Sequence, residues 1–406
     1  MIKAAILGFG TVGSGVYNVL KSNNRLVNER AGQEIEVKYV LDLRDFPGDP
    51  VESVLTHDFE DIINDPEVKI VVEVMGGINP AFDFTKRCLE EGKNVCTSNK
   101  ELVAEHGLEL MSIARENDVN HFFEASCGGG IPIIRALNDC LTADDIDRIT
   151  GILNGTTNFI LTEMTEKPGV SFGKVLKQAQ ANGYAERDPS ADVDAFDPAR
   201  KIAILASIVF GSSVDYKDVY TEGIRQITAE DIRYSTTLGY AIKLLAEASR
   251  TEDGIRVYVA PFLVDPSHPL YPINGVMNAV YVHGNMLGDA VFTGAGAGSL
   301  PTASAVVADV IDAARHDGKR AYCGWKHDEK LAITSIDGVR RKYLVRISTE
   351  DEAKANKVFS PDGFLDTISV GELEDEIAFI TPELSESEFE AKAKEFGKVI
   401  SRIRFY

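Results

Sequence analysis

The chain of 406 residues is long enough for two or three domains. Hydrophobic residues make up 44% and charged residues 26%, which argues against a disordered chain and against a membrane protein. The formal net charge is −21, and so acidic a surface repels phosphate backbones and anionic lipids. We therefore expect neither nucleic acid nor a membrane as a partner.

Targeting signals and covalent cross-links are not indicated either. The N-terminus lacks the layout of a signal peptide, and the longest apolar run, residues 202–210, is far short of the ~20 residues that span a bilayer. The five cysteines are odd in number and form no C-x-x-C pair, which argues against a disulfide framework and a zinc site. These features predict a cytoplasmic protein.

The first part of the chain alternates short apolar runs with amphipathic stretches, which predicts a Rossmann-type, doubly wound parallel sheet in an α/β domain at residues 1–131. The predicted strands are Lys3–Leu7, Glu36–Leu41, Ile70–Glu73, Asn94–Thr97 and Asn120–Glu124, with helices at Val12–Ser22 and Asn79–Glu91.

Residues 132–300 read as an α+β domain that holds the substrate and mediates dimerisation. The predicted strands are Arg148–Leu153 and Arg256–Val264, and the predicted helices are Val170–Asn182, Pro198–Phe210 and Ala229–Ala248.

The last third of the chain begins with a glycine-rich stretch, Gly294–Gly298. The helix that follows it, from Pro301 to His316, is expected to return to the nucleotide-binding domain as segment 301–320. From residue 342 the order βαββαβ predicts a small ferredoxin-like domain at 342–406. Its predicted elements are Tyr343–Ile347, Glu350–Val358, Leu365–Val370, Asp375–Ile380, Glu386–Phe396 and Ile400–Phe405.

The motif Gly8-Phe9-Gly10-Thr11-Val12-Gly13 directly follows the first predicted strand and opens a helix. The first glycine allows a tight turn, the second lets the backbone approach a pyrophosphate, and the third permits close helix–strand packing. The motif therefore predicts a dinucleotide site.

The choice between NAD and NADP stays open. Asp42 ends the second strand, where a carboxylate holds a ribose 2′-hydroxyl and favours NAD. Arg44, two residues later, suits a 2′-phosphate and favours NADP. Alternatively, both side chains are solvated turn residues.

Two more strand ends carry polar groups, at the sheet edge where open α/β sheets bind ligands. Ser98-Asn99-Lys100 follows one strand, and Lys100 either contacts a ligand or is an exposed loop lysine. Glu124-Ala125-Ser126-Cys127-Gly128-Gly129-Gly130-Ile131-Pro132 follows the next, with a carboxylate and exposed carbonyls that suit a hard cation. Cys127 is a candidate acyl-transfer nucleophile, but a structural role is favoured.

The densest polar cluster runs from Gly183 to Lys201 and leads into the apolar helix. Asp197 and Lys201 are four residues apart, close to one helix face, where an Asp–Lys pair can form. Capping by Asp197 and snorkelling by Lys201 are the structural alternatives to a catalytic pair.

These segments, in this order, resemble the homoserine dehydrogenase family. The landmarks are Gly8–Gly13, Ser98–Lys100, Glu124–Pro132, Gly151–Asn158, the cluster ending in D-x-x-x-K at Asp197 and Lys201, and Gly294–Ala303. The resemblance covers residues 1 to about 320. It implies interconversion of L-aspartate 4-semialdehyde and L-homoserine with NAD(P)H, in the threonine, methionine and isoleucine pathway.

The resemblance also implies roles for individual residues. Lys201 is then the proton donor, and Asp197 binds substrate and orients that lysine. Glu186, Asp192 and Thr157 join Asp197 in the substrate site, with Glu186 on the amino group. The implied cofactor residues are Gly8, Gly10, Thr11, Val12, Gly13, Asp42, Arg44, Ser98, Lys100, Gly183 and Gly298.

A sodium ion is implied at the Glu124 carboxylate and the carbonyls of Cys127, Gly129 and Ile131, and the family resemblance implies a homodimer or homotetramer. Two positions depart from the family pattern. Ala195 replaces a glycine in the signature, and Glu350–Ala353 replaces the Asp-x-Pro-Gly turn of ACT regulatory domains. Because that turn is missing, we do not expect ordinary amino-acid feedback through the ACT-like domain. Binding of an amino-acid effector there, with threonine as the candidate, is a hypothesis.

Two other functions compete with this interpretation. One is another Rossmann semialdehyde oxidoreductase that acylates through Cys127, and the other is a nucleotide-binding regulator without catalysis. The set Glu186, Asp197 and Lys201 argues against a regulator, because a sensor needs no proton donor.

Overall fold

A computed structural model describes residues 1–360, 363–371 and 373–406. The chain forms two units. The first unit comprises Met1–Ile146, Ala203–Lys217 and Gly284–Leu331, and the second comprises Asp147–Ile202, Asp218–His283 and Ala332–Tyr406.

The first unit is built on a parallel sheet with the strand order β3-β2-β1-β4-β5-β6. Its elements up to residue 135 are β1 (Ile2–Leu7), α1 (Thr11–Ser22), α2 (Asn24–Ala31), β2 (Ile35–Leu41), β3 (Leu55–Thr56), α3 (Glu60–Ile63), β4 (Val68–Glu73), α4 (Ala81–Glu90), β5 (Asn94–Thr97), α5 (Lys100–Glu116), β6 (His121–Phe122) and α6 (Ile133–Arg135). The strand order reverses at β1, which makes its carboxyl end a topological switch point. The predicted doubly wound sheet is confirmed.

Both faces of this sheet are covered by apolar side chains. Ala4 and Ile6 of β1 point into one buried cluster, whereas Ala5 and Leu7 point into another on the opposite face. A strand buried on both faces reads as a continuous apolar run, which is how β1 was predicted. The last predicted strand, Asn120–Glu124, is shorter in the structure because a 3₁₀ turn begins at Glu124.

The remaining elements follow in chain order. They are β7 (Ile146–Ile152), α7 (Gly155–Glu166), α8 (Phe172–Ala181), α9 (Ser190–Val193), α10 (Phe196–Phe210), β8 (Ser212–Ser213), β9 (Tyr220–Thr221), α11 (Ala229–Thr237), β10 (Ala241–Thr251), β11 (Gly254–Val264), β12 (Met277–Gly284), β13 (Gly288–Ala295), α12 (Ser299–Arg315), β14 (His327–Lys330), β15 (Tyr343–Ser348), α13 (Glu352–Phe359), β16 (Thr367–Ile368), β17 (Glu376–Ile380), α14 (Glu386–Phe396) and β18 (Ser401–Phe405).

The second unit contains a mixed sheet whose strands follow the order β12-β7-β10-β11-β18-β15-β17-β16. Strands β10 and β11 form a long antiparallel hairpin, from the pair Ala241–Val264 to the pair Thr251–Gly254. Strand β18 pairs in parallel with β11, so residues 343–405 extend the sheet that β10 and β11 build. That segment has the predicted order βαββαβ, and its placement in a separate domain remains a prediction.

The predicted helix Ala229–Ala248 is wrong in its second half. Helix α11 ends at Thr237, Gly239 adopts a left-handed φ of 80°, and strand β10 begins at Ala241. Residues 242–248 are all buried, because β10 lies between β7 and β11 with both faces covered. A strand in that position shows no polar–apolar alternation, so its apolar run was mistaken for a helix.

Candidate active site

The glycine loop Gly8–Gly13 runs from the end of β1 into the first turn of α1, at the switch point of the first sheet. Gly8 has a φ of 98°, and a Cβ on Gly13 would lie 1.9 Å from the carbonyl oxygen of Gly8. A Cβ on Gly10, in contrast, would meet nothing within 4 Å. The loop thus requires glycine at its ends and leaves open space at Gly10, above the N-terminus of α1, where a pyrophosphate binds in this fold.

The late glycine-rich segment lies beside this loop in the first unit. Gly298 precedes α12 with a φ of 121°, and the Ser299 hydroxyl donates to the carbonyl oxygen of Thr11 at 2.7 Å. A Cβ on Gly15 would lie 2.7 Å from the Ser299 hydroxyl oxygen, so α1 and α12 are in close contact. The structure therefore brings the predicted cofactor residues Gly298 and Thr11 together.

Asp42 and Arg44 form an ion pair at the end of β2. The Arg44 guanidinium donates to both carboxylate oxygens at 2.9 Å, and the Phe9 amide donates to Asp42 Oδ2 at 2.8 Å. These donors, chiefly Arg44, hold the pKa of the Asp42 carboxyl well below its usual range. The two charged residues that we expect to decide between NAD and NADP thus lie together beside the glycine loop.

Ser98 and Lys100 flank Asn99, which caps α5 by accepting from the Leu102 amide at 3.1 Å. Glu73, at the carboxyl end of β4, was missed by the sequence analysis. It accepts from Thr97 Oγ1 at 2.6 Å, and burial raises the pKa of its carboxyl. Glu73 therefore fixes the ends of two neighbouring strands at the ligand edge of the sheet.

The predicted cation loop, Glu124–Ile131, is largely buried and packs against the glycine-rich segment Gly294–Gly298 of the same unit. The Glu124 carboxylate accepts the backbone N–H groups of Ile134 at 2.8 Å and Arg135 at 2.6 Å. A Cβ on Gly129 would lie 2.4 Å from the Gly296 carbonyl oxygen, which makes glycine obligatory there. Cys127 is fully buried, which disfavours its role as an acyl acceptor.

Lys201 and Asp197 form a buried ion pair in the second unit. Lys201 Nζ donates to Asp197 Oδ2 at 2.7 Å and to the Leu153 carbonyl oxygen at 2.8 Å. Their side chains are 9% and 3% exposed, respectively. Asp197 lies within the first turn of α10, and Lys201 does not extend to bulk solvent, so neither structural alternative explains the pair.

Asn154 organises the substrate-site residues, and the sequence analysis did not single it out. Its Nδ2 donates to Asp192 at 2.7 Å and to Asp197 at 2.8 Å. Its Oδ1 caps α7 by accepting from the Thr157 amide at 2.8 Å, and the Thr157 hydroxyl donates to the same residue. The available signal was an asparagine at a strand end before a helix start, a typical N-cap.

The loop before α10 is more exposed than the ion pair. Gly183 and Glu186 are exposed, and Gly183 has a φ of 76°. Ala195 is buried and has a φ of 69°, in the left-handed region that favours glycine. This explains physically why glycine suits that signature position.

In the described part of the chain, no helix is both long and apolar enough to cross a membrane. Among those same residues, no group of three or more His, Cys, Asp or Glu side chains is arranged to hold a metal ion.

The parallel sheet with its glycine loop, and the buried Lys–Asp pair, define a dinucleotide-dependent oxidoreductase. Two family models match the chain: homoserine dehydrogenase over residues 132–311, and the homoserine dehydrogenase NAD-binding domain over residues 8–124. The homoserine dehydrogenase of Pseudomonas aeruginosa is 42% identical over 358 residues, which cover 86% of this chain and 82% of that protein. The chain belongs to the homoserine dehydrogenase family.

Solved structures agree with this assignment. A homoserine dehydrogenase from Thiobacillus denitrificans superposes with a TM-score of 0.91 at 38% identity, covering 100% of this chain and 98% of that chain. A hyperthermophilic archaeal homoserine dehydrogenase mutant in complex with NADPH gives a TM-score of 0.66 at 30% identity, covering 77% and 97% of the two chains. The protein is an NAD(P)-dependent oxidoreductase that interconverts L-aspartate 4-semialdehyde and L-homoserine. An acylating dehydrogenase and a non-catalytic regulator are not favoured.

Proposed function

We propose that Lys201 is the proton donor of this reaction and that Asp197 orients it. The buried ion pair carries the proposal, because two protein acceptors direct the ammonium group of Lys201. Burying a charge is expensive unless it is paired, and most lysines avoid it.

The chemistry of the reaction needs such a group. The nicotinamide cofactor, when bound, supplies a hydride to the aldehyde carbon. Negative charge then develops on the aldehyde oxygen, and a positioned ammonium stabilises that charge and gives up a proton to it. In the reverse direction the neutral amine of Lys201 accepts the hydroxyl proton of homoserine.

We assign the substrate's polar groups to the residues around this pair. Glu186 binds the substrate amino group, and its exposed position before α10 leaves its carboxylate accessible. Asp192 and Asp197 share the Asn154 amide, so a substrate group that contacts either carboxylate is linked to Lys201 through one side chain. Thr157 supports the same asparagine.

The proposed cofactor site comprises Gly8, Gly10, Thr11, Val12, Gly13, Asp42, Arg44, Ser98, Lys100, Gly183 and Gly298. The open space at Gly10 fits a pyrophosphate. The archaeal relative binds NADPH, and Arg44 offers a positive charge for a 2′-phosphate. The adjacent Asp42 opposes that phosphate, so we propose that the protein uses both NADP and NAD.

A sodium ion fits the loop Glu124–Ile131. Each oxygen of the Glu124 carboxylate accepts one backbone N–H and retains a lone pair for a cation. We propose that Glu124 and the carbonyls of Cys127, Gly129 and Ile131 hold the ion. Activity measured at constant ionic strength is then higher in sodium chloride than in choline chloride, and equal rates in the two salts would contradict the site.

The remaining assignments concern the whole protein. We propose an ACT-like module at residues 342–406, because its strands follow the antiparallel order β18-β15-β17-β16 of a ferredoxin-like sheet. An amino acid such as threonine is its proposed effector. We also propose that the protein is cytoplasmic and forms a homodimer or homotetramer. Its proposed pathway is the synthesis of threonine, methionine and isoleucine.

The proposed function is tested with the purified chain, L-aspartate 4-semialdehyde and either NADPH or NADH. We expect cofactor oxidation with both, and the ratio of the two kcat/KM values gives the preference. Succinate semialdehyde, which lacks the amino group, serves as the control substrate and is expected to react far more slowly. In Glu186→Gln the preference for the amino-bearing aldehyde shrinks, whereas an unchanged preference would remove Glu186 from the substrate site.

A further inference from the structure

The short helix α9 is held from outside by a second segment of the same unit. Strand β9 pairs with β11, and the segment that follows it, Glu222–Arg225, contacts α9. The Ile224 amide donates to the Val193 carbonyl oxygen at 2.9 Å. A Cβ on Gly223 would lie 2.1 Å from that same oxygen, so the two segments are in contact through their backbones.

The Arg225 side chain joins the two ends of α9. Its Nε and one terminal nitrogen donate to the two carboxylate oxygens of Asp194, just after the helix, and the second of these bonds measures 2.8 Å. The same terminal nitrogen donates to the Ser190 hydroxyl oxygen at 3.1 Å, at the start of the helix. The Ser190 hydroxyl donates in turn to Asp188 at 2.6 Å, and this bond, with a smaller contribution from the Arg225 charge, lowers the pKa of the Asp188 carboxyl. One guanidinium group therefore fixes both ends of the helix.

The start of this outer segment is anchored in the mixed sheet. The Glu222 amide donates to the Val259 carbonyl oxygen at 2.8 Å, which continues the pairing of β9 with β11. The Glu222 carboxylate accepts from Arg402 at 3.0 Å and from Arg404 at 2.8 Å, two arginines of β18. Arg225 thus follows a residue that the sheet fixes through both its backbone and its side chain.

The residue next to the Asp194 carboxylate has a strained backbone. Ala195 has a φ of 69°, and a residue with a Cβ keeps this left-handed conformation only where its surroundings hold it. Its amide donates to the Asp192 carbonyl oxygen at 3.1 Å, which closes the turn after α9. Because Asp194 directly precedes Ala195, its pair with Arg225 acts on this turn.

The turn at Ala195 sets the separation of two carboxylates in the proposed substrate site. Asp192 precedes the turn and Asp197 follows it, and both accept from the Asn154 side-chain amide, at 2.7 and 2.8 Å. Both carboxylates reach one amide only while the turn keeps its shape. Lys201, in contrast, is buried and bonds Asp197 directly. Loss of the turn therefore displaces Asp192 more than it displaces the proton donor.

We propose that Arg225 is a positioning residue of the substrate site. It joins the ends of α9 and so holds the turn at Ala195, which keeps Asp192 beside Asp197. The clamp matters in this chain because alanine stands where glycine would adopt the same turn without strain. This inference rests on the substrate role proposed for Asp192.

Arg225→Met tests the clamp through the kinetic constants for L-aspartate 4-semialdehyde and NADPH. We expect KM for the semialdehyde to rise about five- to twentyfold and kcat to stay within about threefold, since the proton donor keeps its place. KM for NADPH should not change. The urea midpoint should hardly move, because the Arg225 and Asp194 side chains are 43% and 31% exposed. The matched control is Arg340→Met, which breaks another exposed ion pair of the same unit and should leave the kinetic constants unchanged.

A second variant shows whether the turn is what Arg225 holds. In Ala195→Gly the turn forms without strain, so adding Arg225→Met to it should raise KM for the semialdehyde by less than about threefold. An unchanged semialdehyde KM in Arg225→Met would overturn the proposal. An equal rise with and without the Ala195→Gly change would also overturn it, as would a fall in kcat alone.

Two measurements separate this inference from the proposed function. If the proposed function is wrong, the parent protein does not oxidise NADPH with L-aspartate 4-semialdehyde. Asp192→Asn tests the substrate role of Asp192 by itself, and it should raise KM for the semialdehyde. A raised KM in that variant together with an unchanged KM in Arg225→Met would overturn the clamp alone.

Discussion

Replacing Lys201 with methionine removes the proposed proton donor but keeps a side chain of similar length. A positioned general acid contributes roughly 10²–10⁴ in rate, so kcat/KM should fall by that factor. The Lys201 and Asp197 side chains are 9% and 3% exposed, so the variant also leaves a buried carboxylate without its cation. Breaking a buried pair in this way costs about 3–5 kcal/mol of stability.

A second variant separates the loss of chemistry from the loss of stability. In Asp197→Asn/Lys201→Met both charges are gone, and an amide oxygen remains to accept from Asn154 Nδ2, which now donates to Asp197 at 2.8 Å. We expect this double variant to regain about 2–4 kcal/mol relative to Lys201→Met, because no uncompensated charge is buried. Its activity should stay as low, because residues that act as a unit are not additive.

The two quantities are measured on the same preparations. Urea unfolding gives the stability, oxidation of NADPH with L-aspartate 4-semialdehyde gives kcat/KM, and calorimetry with NADPH shows that cofactor binding persists. If folded Lys201→Met keeps activity within tenfold of the parent protein, Lys201 is not the proton donor. If the double variant regains activity together with stability, the loss in the single variant was structural.

Three further predictions concern stability. The pKa of His121 is about 4 when folded and about 6.5 when unfolded, so the unfolded chain binds more protons below pH 6.5. Stability should therefore fall by about 3 kcal/mol as the pH drops from 6.5 to 4, and His121→Phe should flatten that slope in urea titrations across this range. Arg404 is fully buried and pairs with Glu222 and Glu386, whose side chains are 31% and 13% exposed, so Arg404→Leu should cost about 1.5–3 kcal/mol. Arg340→Met, in an exposed pair, should cost less than about 1 kcal/mol, and equal urea midpoints for the two variants would refute this contrast. Tyr406→Phe removes the hydroxyl that donates to Glu247 at 2.6 Å and should cost about 1.5–3 kcal/mol, and a cost below about 0.5 kcal/mol in thermal unfolding would show that this contact does not anchor the C-terminus.

The first unit was predictable because its signals are local. Strands buried on both faces read as apolar runs, and Gly8–Gly13 follows the first of them directly. The strand β5 has the predicted bounds, Asn94–Thr97, since charged or polar residues border it on both sides. Local sequence failed at β10, where burial on both faces comes from neighbours that are distant in the chain.

The candidate site was predictable only to the level of residue types. The spacing of Asp197 and Lys201 predicts a shared helix face, and the structure places both side chains in one buried pair. Their partners, Asn154 and the Leu153 carbonyl, come from a strand end about 45 residues earlier, which no spacing rule predicts. Tertiary contacts of that kind are visible only in three dimensions.

The position of Asn154 explains why the site needs two segments that are far apart in sequence. Strand β7 ends at Ile152, so the Leu153 carbonyl is left without a ladder partner in that strand and accepts from Lys201 instead. The next residue, Asn154, caps the N-terminus of α7 and turns its amide toward Asp192 and Asp197. The lysine is thus oriented by a strand end and a helix cap together. Consequently, Asn154→Ala should lower kcat more than it raises KM, since it disorders the donor while leaving Glu186 in place; a change in KM alone would instead make Asn154 a substrate ligand.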